Sequence, residues 1–365
     1  MIPAELKERY QALAASCRHR ITGHPTLSMA LQLEEIGRWA ARYDAQDLYG
    51  TGELIESFQR DMAELLGKPA AVFLVSGTMA QNIALRLWAD RAGQRRVGFH
   101  HTSHLQLHEH QAYRELYGLD GVLLGDSDRV PALHDLQNAG DLAAVLLELP
   151  MREIGGQLPE WDDLHKQADW ARGRGIKLHM DGARLWQCPP YYGRSMAEIA
   201  DLFDSVYVSF YKDIGGIAGS VLAGPEDFIE AAKVGIARAG GSLYSLFPYV
   251  LAARAGLERN FVAMPEAVDS ARWLAAEFRA MGFKITPELP PTNLFHLHLP
   301  VEPEALVEHA IAFSEQHDVF IMPMPRAVKD DHSVMEFSLG RAIQQQSREQ
   351  WQEWLQAFYT SLPIE

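Results

Sequence analysis

Four segments of this 365-residue chain carry side chains whose types and spacing suit chemistry. Ser76-Gly77-Thr78 stands between an apolar run and a helical one. Free N–H groups at a helix N-terminus attract an anion and glycine lets it come close, so the segment suits a phosphate; Ser and Thr are also the preferred helix caps. His179-Met180-Asp181-Gly182-Ala183-Arg184 closes another apolar run. Strand alternation puts His179 and Asp181 on one face, and the carboxyl end of a buried strand is where open α/β sheets bind ligands. An ion pair of Asp181 with Arg184 is the plainer reading. Ser209-Phe210-Tyr211-Lys212 leads from a strand into a glycine-rich stretch. An amine there can condense with a carbonyl, or is a surface lysine beside a turn. Lastly, His104 and His108 lie four apart in a histidine-rich segment, a spacing that can ligate a metal. HExxH is absent and no third ligand is suitably spaced, which leaves ordinary loop or helix histidines or a ring that stacks on a ligand.

The elements that must position these segments alternate between helical and strand periodicity from residue 53 to 224. Leu54, Phe58, Met62 and Leu65 recur at helical spacing and Gly67 closes that helix. Residues 70–76, 95–100, 143–149, 175–181 and 204–210 read as short buried strands, with helices following the first and filling the gap before the fourth. Continuous apolar strands separated by helices predict a mostly parallel sheet covered on both faces. After residue 245 long helical stretches (248–282 and 347–362) flank short strands, predicting a smaller α+β domain. The expected organisation is a large domain over 1–245, whose first ~45 residues can pack on the small domain, and a small C-terminal domain over 246–365.

Composition narrows the function. Apolar residues make up 47% and charged residues 22%, enough for a real core and against disorder. The net charge of −15 disfavours nucleic acid and anionic membrane surfaces as partners. Cys17 and Cys188 are the only cysteines, so neither a disulfide scaffold nor a cysteine zinc site is expected. The first residues lack a signal-peptide core, and no apolar run approaches about 18 residues, so a cytoplasmic enzyme is expected.

Taken in order, a phosphate cup, a histidine, a strand-end aspartate and a strand-end lysine are what pyridoxal 5'-phosphate requires. The phosphate sits on the helix N-terminus, a flat side chain covers the ring, the carboxylate pairs with the ring nitrogen, and the lysine condenses with the aldehyde. At these residues the chain resembles the threonine aldolase family, in the β-eliminating lyase group of the fold-type-I pyridoxal phosphate enzymes. The resemblance runs through Leu48-Tyr49-Gly50, ELLGKPAAVFLVSGTMAQNIAL (64–85), HLQLHE (104–109), LHMDGARLWQ (178–187) and SVYVSFYKDIGGIAGSVLAG (205–224). It covers residues 45 to 260 well and the C-terminal part loosely.

The resemblance implies an aspartate-aminotransferase-like fold. It assigns Ser76, Gly77 and Thr78, with Ser209, to the phosphate, His104 to the ring face, Asp181 to the ring nitrogen, Arg184 to the phenolic oxygen side and Lys212 to the aldehyde. Glu148 falls where the family has a glutamate, but the Asn-Thr-His-Asn-like stretch that follows there reads Leu149-Pro150-Met151-Arg152 here. The two family positions for arginines that hold the substrate carboxylate fall at Gly241-Ser242-Leu243-Tyr244 and Met335-Glu336-Phe337. Arg341, Arg18 and Arg20 are the candidates to replace them. The implied reaction is cleavage of the Cα–Cβ bond of a β-hydroxy-α-amino acid, threonine or allo-threonine giving glycine and acetaldehyde, with His104 or an activated water as base. The alternatives are β-elimination or another reaction at Cα, a metal-dependent hydrolase on the histidine cluster, or a non-catalytic binding protein. A homodimer or homotetramer acting on a small amino acid is implied, without a metal.

Overall fold

A computed structural model describes residues 2–43, 47–329 and 332–362. The chain divides into two compact units, residues 28–153 with 157–262, and residues 1–27 and 154–156 with 263–365.

The larger unit is built on seven strands: β1 Ala70–Leu74, β2 Arg96–His100, β3 Asp120–Leu124, β4 Ala144–Glu148, β5 Lys177–Gly182, β6 Ser205–Ser209 and β7 Ser220–Gly224. Their order across the sheet is β1-β7-β6-β5-β4-β2-β3. All neighbours are parallel except β7, which runs antiparallel to both β1 and β6. This is the mostly parallel sheet that the apolar runs predict. β3 and β7 are strands that the reading of the sequence did not single out. Central strands β6 and β7 are buried at every residue, which is why they read as unbroken apolar runs.

The helix Gly77–Ala92 crosses one face of this sheet. Its Trp88 stacks on Phe228 of the helix Glu226–Arg238 with ring centroids 4.4 Å apart. Leu54, Ile55, Phe58 and Met62 bury one side of the helix Glu53–Leu65, and Phe58 packs against Phe73 and Phe210. Each such large apolar side chain withdrawn from water contributes roughly 1.5–3 kcal/mol.

The stretch read as one helix over 248–282 is interrupted. Phe247–Gly256 is α-helical, Leu257–Phe261 forms a π-helical turn, and Met264–Ala280 starts a new helix in the smaller unit. Phe247–Gly256, counted with the small domain from sequence, packs on the helices Met29–Ala40 and Glu53–Leu65 within the larger unit. The residues that join the smaller unit at the N-terminal end stop at Leu27, since the helix Met29–Ala40 is held by that same contact.

The smaller unit has a four-stranded antiparallel sheet, β10-β11-β9-β8 in order, with β8 Lys284–Thr286, β9 Leu294–Leu299, β10 Pro325–Lys329 and β11 His332–Ser338. Its core gathers Phe278, Phe295, Phe337, Trp351 and Phe358, with Phe295 and Phe337 stacked across β9 and β11 at 5.3 Å. The N-terminal helix Ala4–Ser16 belongs here and packs on the helix Pro303–His317.

Candidate active site

Register alone brings the chemistry-bearing segments of the larger unit to one edge of the sheet. Glu148 is paired with Asp181 at the carboxyl ends of β4 and β5. Leu74 and Ser209 both pair with Ser220, so β1 and β6 end at the same level and release Ser76 and Lys212 there. β2 ends at His100, and the short helix His104–Leu107 follows from the same edge.

Ser76 caps the helix Gly77–Ala92, its hydroxyl accepting from Met79 N at 3.3 Å. The N–H groups of Gly77 and Thr78 are in the first turn and have no intrahelical acceptor. Gly77 is required here by space, because a Cβ would lie 1.9 Å from the Tyr207 hydroxyl and 2.3 Å from its ring. Sixteen residues of aligned peptide dipoles make this end a place for negative charge.

Asp181 is buried, and both its oxygens are engaged. Oδ2 accepts from Gln81 Nε2 at 2.6 Å and Oδ1 from Ala183 N at 3.1 Å. The ion pair with Arg184 that the spacing allowed is therefore not what holds it. His179 lies on the same face, as alternation predicts. Its Nδ1 is 2.8 Å from Ser205 Oγ, which itself accepts from Trp88 Nε1 at 2.8 Å. Gln81 and Trp88 are two turns apart on one helix, so a single helix face holds both residues of β5.

Lys212 projects from a fixed turn. Phe210 N donates to Gly219 O, Gly216 N to Phe210 O and Gly215 N to Lys212 O. Phe210 is wedged among Phe58, Phe73 and Trp186, and Trp186 Nε1 donates to Ser209 O at 2.9 Å. The Lys212 ammonium has no hydrogen-bond or ion-pair partner among the described residues. Burial, and then the charge of Arg184, lower its pKa, against the opposing pull of Asp181, Tyr211 and Glu148. Glu148 moves the other way: burial and the charge of Asp181 raise its pKa, partly offset by the Arg152 N–H it accepts at 3.1 Å and by Arg184 and Lys212. Glu148 Oε2 and Arg184 Nε are shielded from solvent without a hydrogen-bond partner. A buried polar atom left unpaired is costly, so these atoms, an unpaired lysine and an open helix N-terminus fit a polar, anionic molecule with a group for the amine.

His104 is not on a bare loop. Its Nδ1 is 2.8 Å from Glu109 Oε1, while His108 turns to Glu153 at 3.0 Å. The two rings are tilted at 5.1 Å, and no group of three or more metal-ligating side chains occurs among the described residues. Gln81, Asn82, Glu109 and Tyr207 all contribute to the arrangement and were not picked out as site residues from the sequence. The available signal was Gln81 and Asn82, two adjacent polar residues inside an otherwise apolar helical stretch.

Arg18, Arg20 and Arg341 lie in the smaller unit. Arg20 spends its guanidinium on Ala14 O, Thr22 O and Thr26 Oγ1. Arg18 and Arg341 are held through their backbone N–H groups, to Asp318 and His24. At the late-strand position, Glu336 is bonded to Arg326 of the adjacent strand β10.

A family model for β-eliminating lyases matches residues 37–299. A putative L-allo-threonine aldolase from Listeria monocytogenes has a solved structure 37% identical, with a TM-score of 0.90 over 98% of this chain and 99% of that one. A probable low-specificity L-threonine aldolase from Arabidopsis thaliana is 26% identical over 76% of this chain and 81% of its own. A serine palmitoyltransferase variant from S. paucimobilis, solved with a bound pyridoxal phosphate–myriocin aldimine, shares the fold at a TM-score of 0.67 and 17% identity, over 93% of this chain and 88% of that one.

Proposed function

The chain belongs to the β-eliminating lyase family, and from that premise we propose that it is a pyridoxal phosphate-dependent lyase cleaving the Cα–Cβ bond of a β-hydroxy-α-amino acid, with threonine or allo-threonine giving glycine and an aldehyde. The observation that carries the reading is the unpaired Lys212 amine at the sheet edge that also presents Asp181, Glu148 and the helix N-terminus at Ser76. Ser76, Gly77 and Thr78, with Ser209, would hold the phosphate, His104 the ring face, Asp181 the ring nitrogen and Arg184 the phenolic side. Bound there, pyridoxal phosphate supplies an electron-accepting ring for the pair released when the Cα–Cβ bond breaks.

The chain's own groups do the rest. Lys212 has its pKa lowered by burial and Arg184, which enlarges the share of neutral amine, the form that would hold the cofactor's aldehyde. Asp181 is fixed by Gln81 and Ala183, so its carboxyl group is held in one orientation at the end of β5. Glu148, its pKa raised by burial and by Asp181, keeps its Oε2 without a partner among the described residues and available to a bound group. His104 Nε2, which has no hydrogen-bond partner among the described residues, is the group to take the β-hydroxyl proton. The carboxylate of the substrate needs a cation, for which Arg341 and Arg18, whose guanidinium groups make no hydrogen bond among the described residues, stand ahead of Arg20.

The test is to load the purified protein with pyridoxal phosphate, reduce it with borohydride and map the adduct, then assay threonine and allo-threonine. An adduct on Lys212 with aldehyde release is expected. An adduct on another lysine, or none, refutes the cofactor site; an adduct on Lys212 without cleavage of any β-hydroxy amino acid refutes the reaction.

A further inference from the structure

We propose that Glu109 is a positioning residue that fixes the tautomer of His104, with Asn82 as the anchor that orients Glu109. The use made of His104 rests on the lyase reading; the tautomer does not. The Glu109 side chain is completely buried, whereas that of His104 is 40% exposed. Oε1 of Glu109 is 2.8 Å from His104 Nδ1 and Oε2 is 2.7 Å from Asn82 Nδ2. Asn82 Nδ2 also donates to Thr78 O at 2.8 Å, one turn back on its own helix. Both amide hydrogens of Asn82 are thus committed, and its Oδ1 has no partner. The amide cannot turn over without losing both bonds.

A carboxylate accepts at both oxygens, so the hydrogen between Glu109 and His104 sits on Nδ1. That leaves Nε2 with its lone pair free. The chain of bonds runs from Thr78 O through Asn82 and Glu109 to His104, so the helix that begins at the Ser76–Thr78 cup also sets the plane and the tautomer of the ring. A neutral amide has one accepting end and could not accept from both Asn82 and Nδ1–H, whereas a carboxylate accepts at both oxygens. The second ring at this site, His108, is bonded to Glu153 and leaves Glu109 to His104 alone.

Glu109→Gln is the discriminating change because it keeps shape but has one accepting end and one donating end. Asn82, locked by Thr78 O, claims the oxygen. The NH2 then faces Nδ1 and forces the Nε2–H form of His104. With ring-15N-labelled histidine in the cofactor-free protein, at a pH where the ring is neutral, and with the signal identified by its loss in His104→Phe, the parent should show Nδ1–H and Glu109→Gln should show Nε2–H. In the double variant Glu109→Gln/Asn82→Ala the amide is free to turn its oxygen to Nδ1, and Nδ1–H should return. In the loaded enzyme, kcat for threonine should fall about 100-fold or more in Glu109→Gln, a general base's usual contribution, with KM little changed, and recover in the double variant. Glu109→Asp, which keeps two acceptors, should retain Nδ1–H if Glu109→Gln does not fold. The proposal is overturned if the parent shows Nε2–H, if Glu109→Gln leaves the tautomer unchanged, or if the tautomer switches while kcat does not. If the parent cleaves no β-hydroxy amino acid, the lyase reading fails, and the ring-nitrogen result still decides the role of Glu109.

Discussion

Asp181→Asn separates what this residue does for the fold from what it does for the reaction. In the variant, the amide oxygen can keep the bond from Ala183 N, now 3.1 Å, and the new NH2 then faces Gln81 Nε2, now 2.6 Å from Oδ2. Two donors would repel, but Gln81 Oε1 is buried and has no partner, so a rotation of the Gln81 amide turns the clash into a new bond. One hydrogen bond is exchanged for another, with the Gln81 nitrogen replacing its oxygen as the buried atom without a partner, so the folded state should change by about 1–2 kcal/mol. The reaction loses a full negative charge. A hydrogen bond to a charged group is worth about 1.5–3 kcal/mol, and tenfold in rate is about 1.4 kcal/mol, so kcat should drop roughly 10- to 100-fold at least. Chemical denaturation of the cofactor-free protein and steady-state aldehyde release measure the two quantities. A loss of more than about 3 kcal/mol in stability would refute the amide-rotation argument. Unchanged kcat in a fully loaded variant would refute the role of the charge.

Gly77→Ala should cost about 1–3 kcal/mol, because its Cβ would meet Tyr207, and adding Tyr207→Phe should restore only part of it, since the ring itself lies 2.3 Å away; thermal melts of both variants measure this. Burial lowers the pKa of His179 from 6.5 to about 4, so between those values the unfolded chain binds a proton that the folded chain does not. Stability should therefore fall as pH drops from 6.5 toward 4, by about 1.4 kcal/mol per pH unit from this residue, and denaturation curves of His179→Gln across that window should lose that much of the slope. Replacing the arginine that meets the substrate carboxylate should lower kcat/KM for threonine while leaving the cofactor spectrum unchanged; if Arg18→Ala and Arg341→Ala both behave like the parent, neither is that residue.

Local signals carried much of the site. A strand-to-helix junction with Ser-Gly-Thr, an aspartate ending one apolar run and a lysine following another are legible because strand ends and helix starts depend on a few neighbouring residues; β1 and β6 fall within the runs read from the sequence, and β5 overruns its own by one residue, Gly182. Repeating periods of two and 3.6 also marked the mostly parallel sheet, since each period fixes which side chains can be buried together. What the sequence by itself could not determine depends on partners far apart in the chain. The antiparallel insertion of β7 follows from pairing with both β1 and β6, nearly 150 residues of chain apart in one bond, Ser220 to Leu74. Gln81 rather than Arg184 holds Asp181 because the helix after β1 is laid across β5, one hundred residues later. Asn82, on that same helix, meets Glu109, whose contact with His104 is local, five residues along the chain. A hydrogen bond is satisfied by whichever group the packing brings to about 3 Å, and spacing along a chain does not encode that distance once the chain has crossed a sheet.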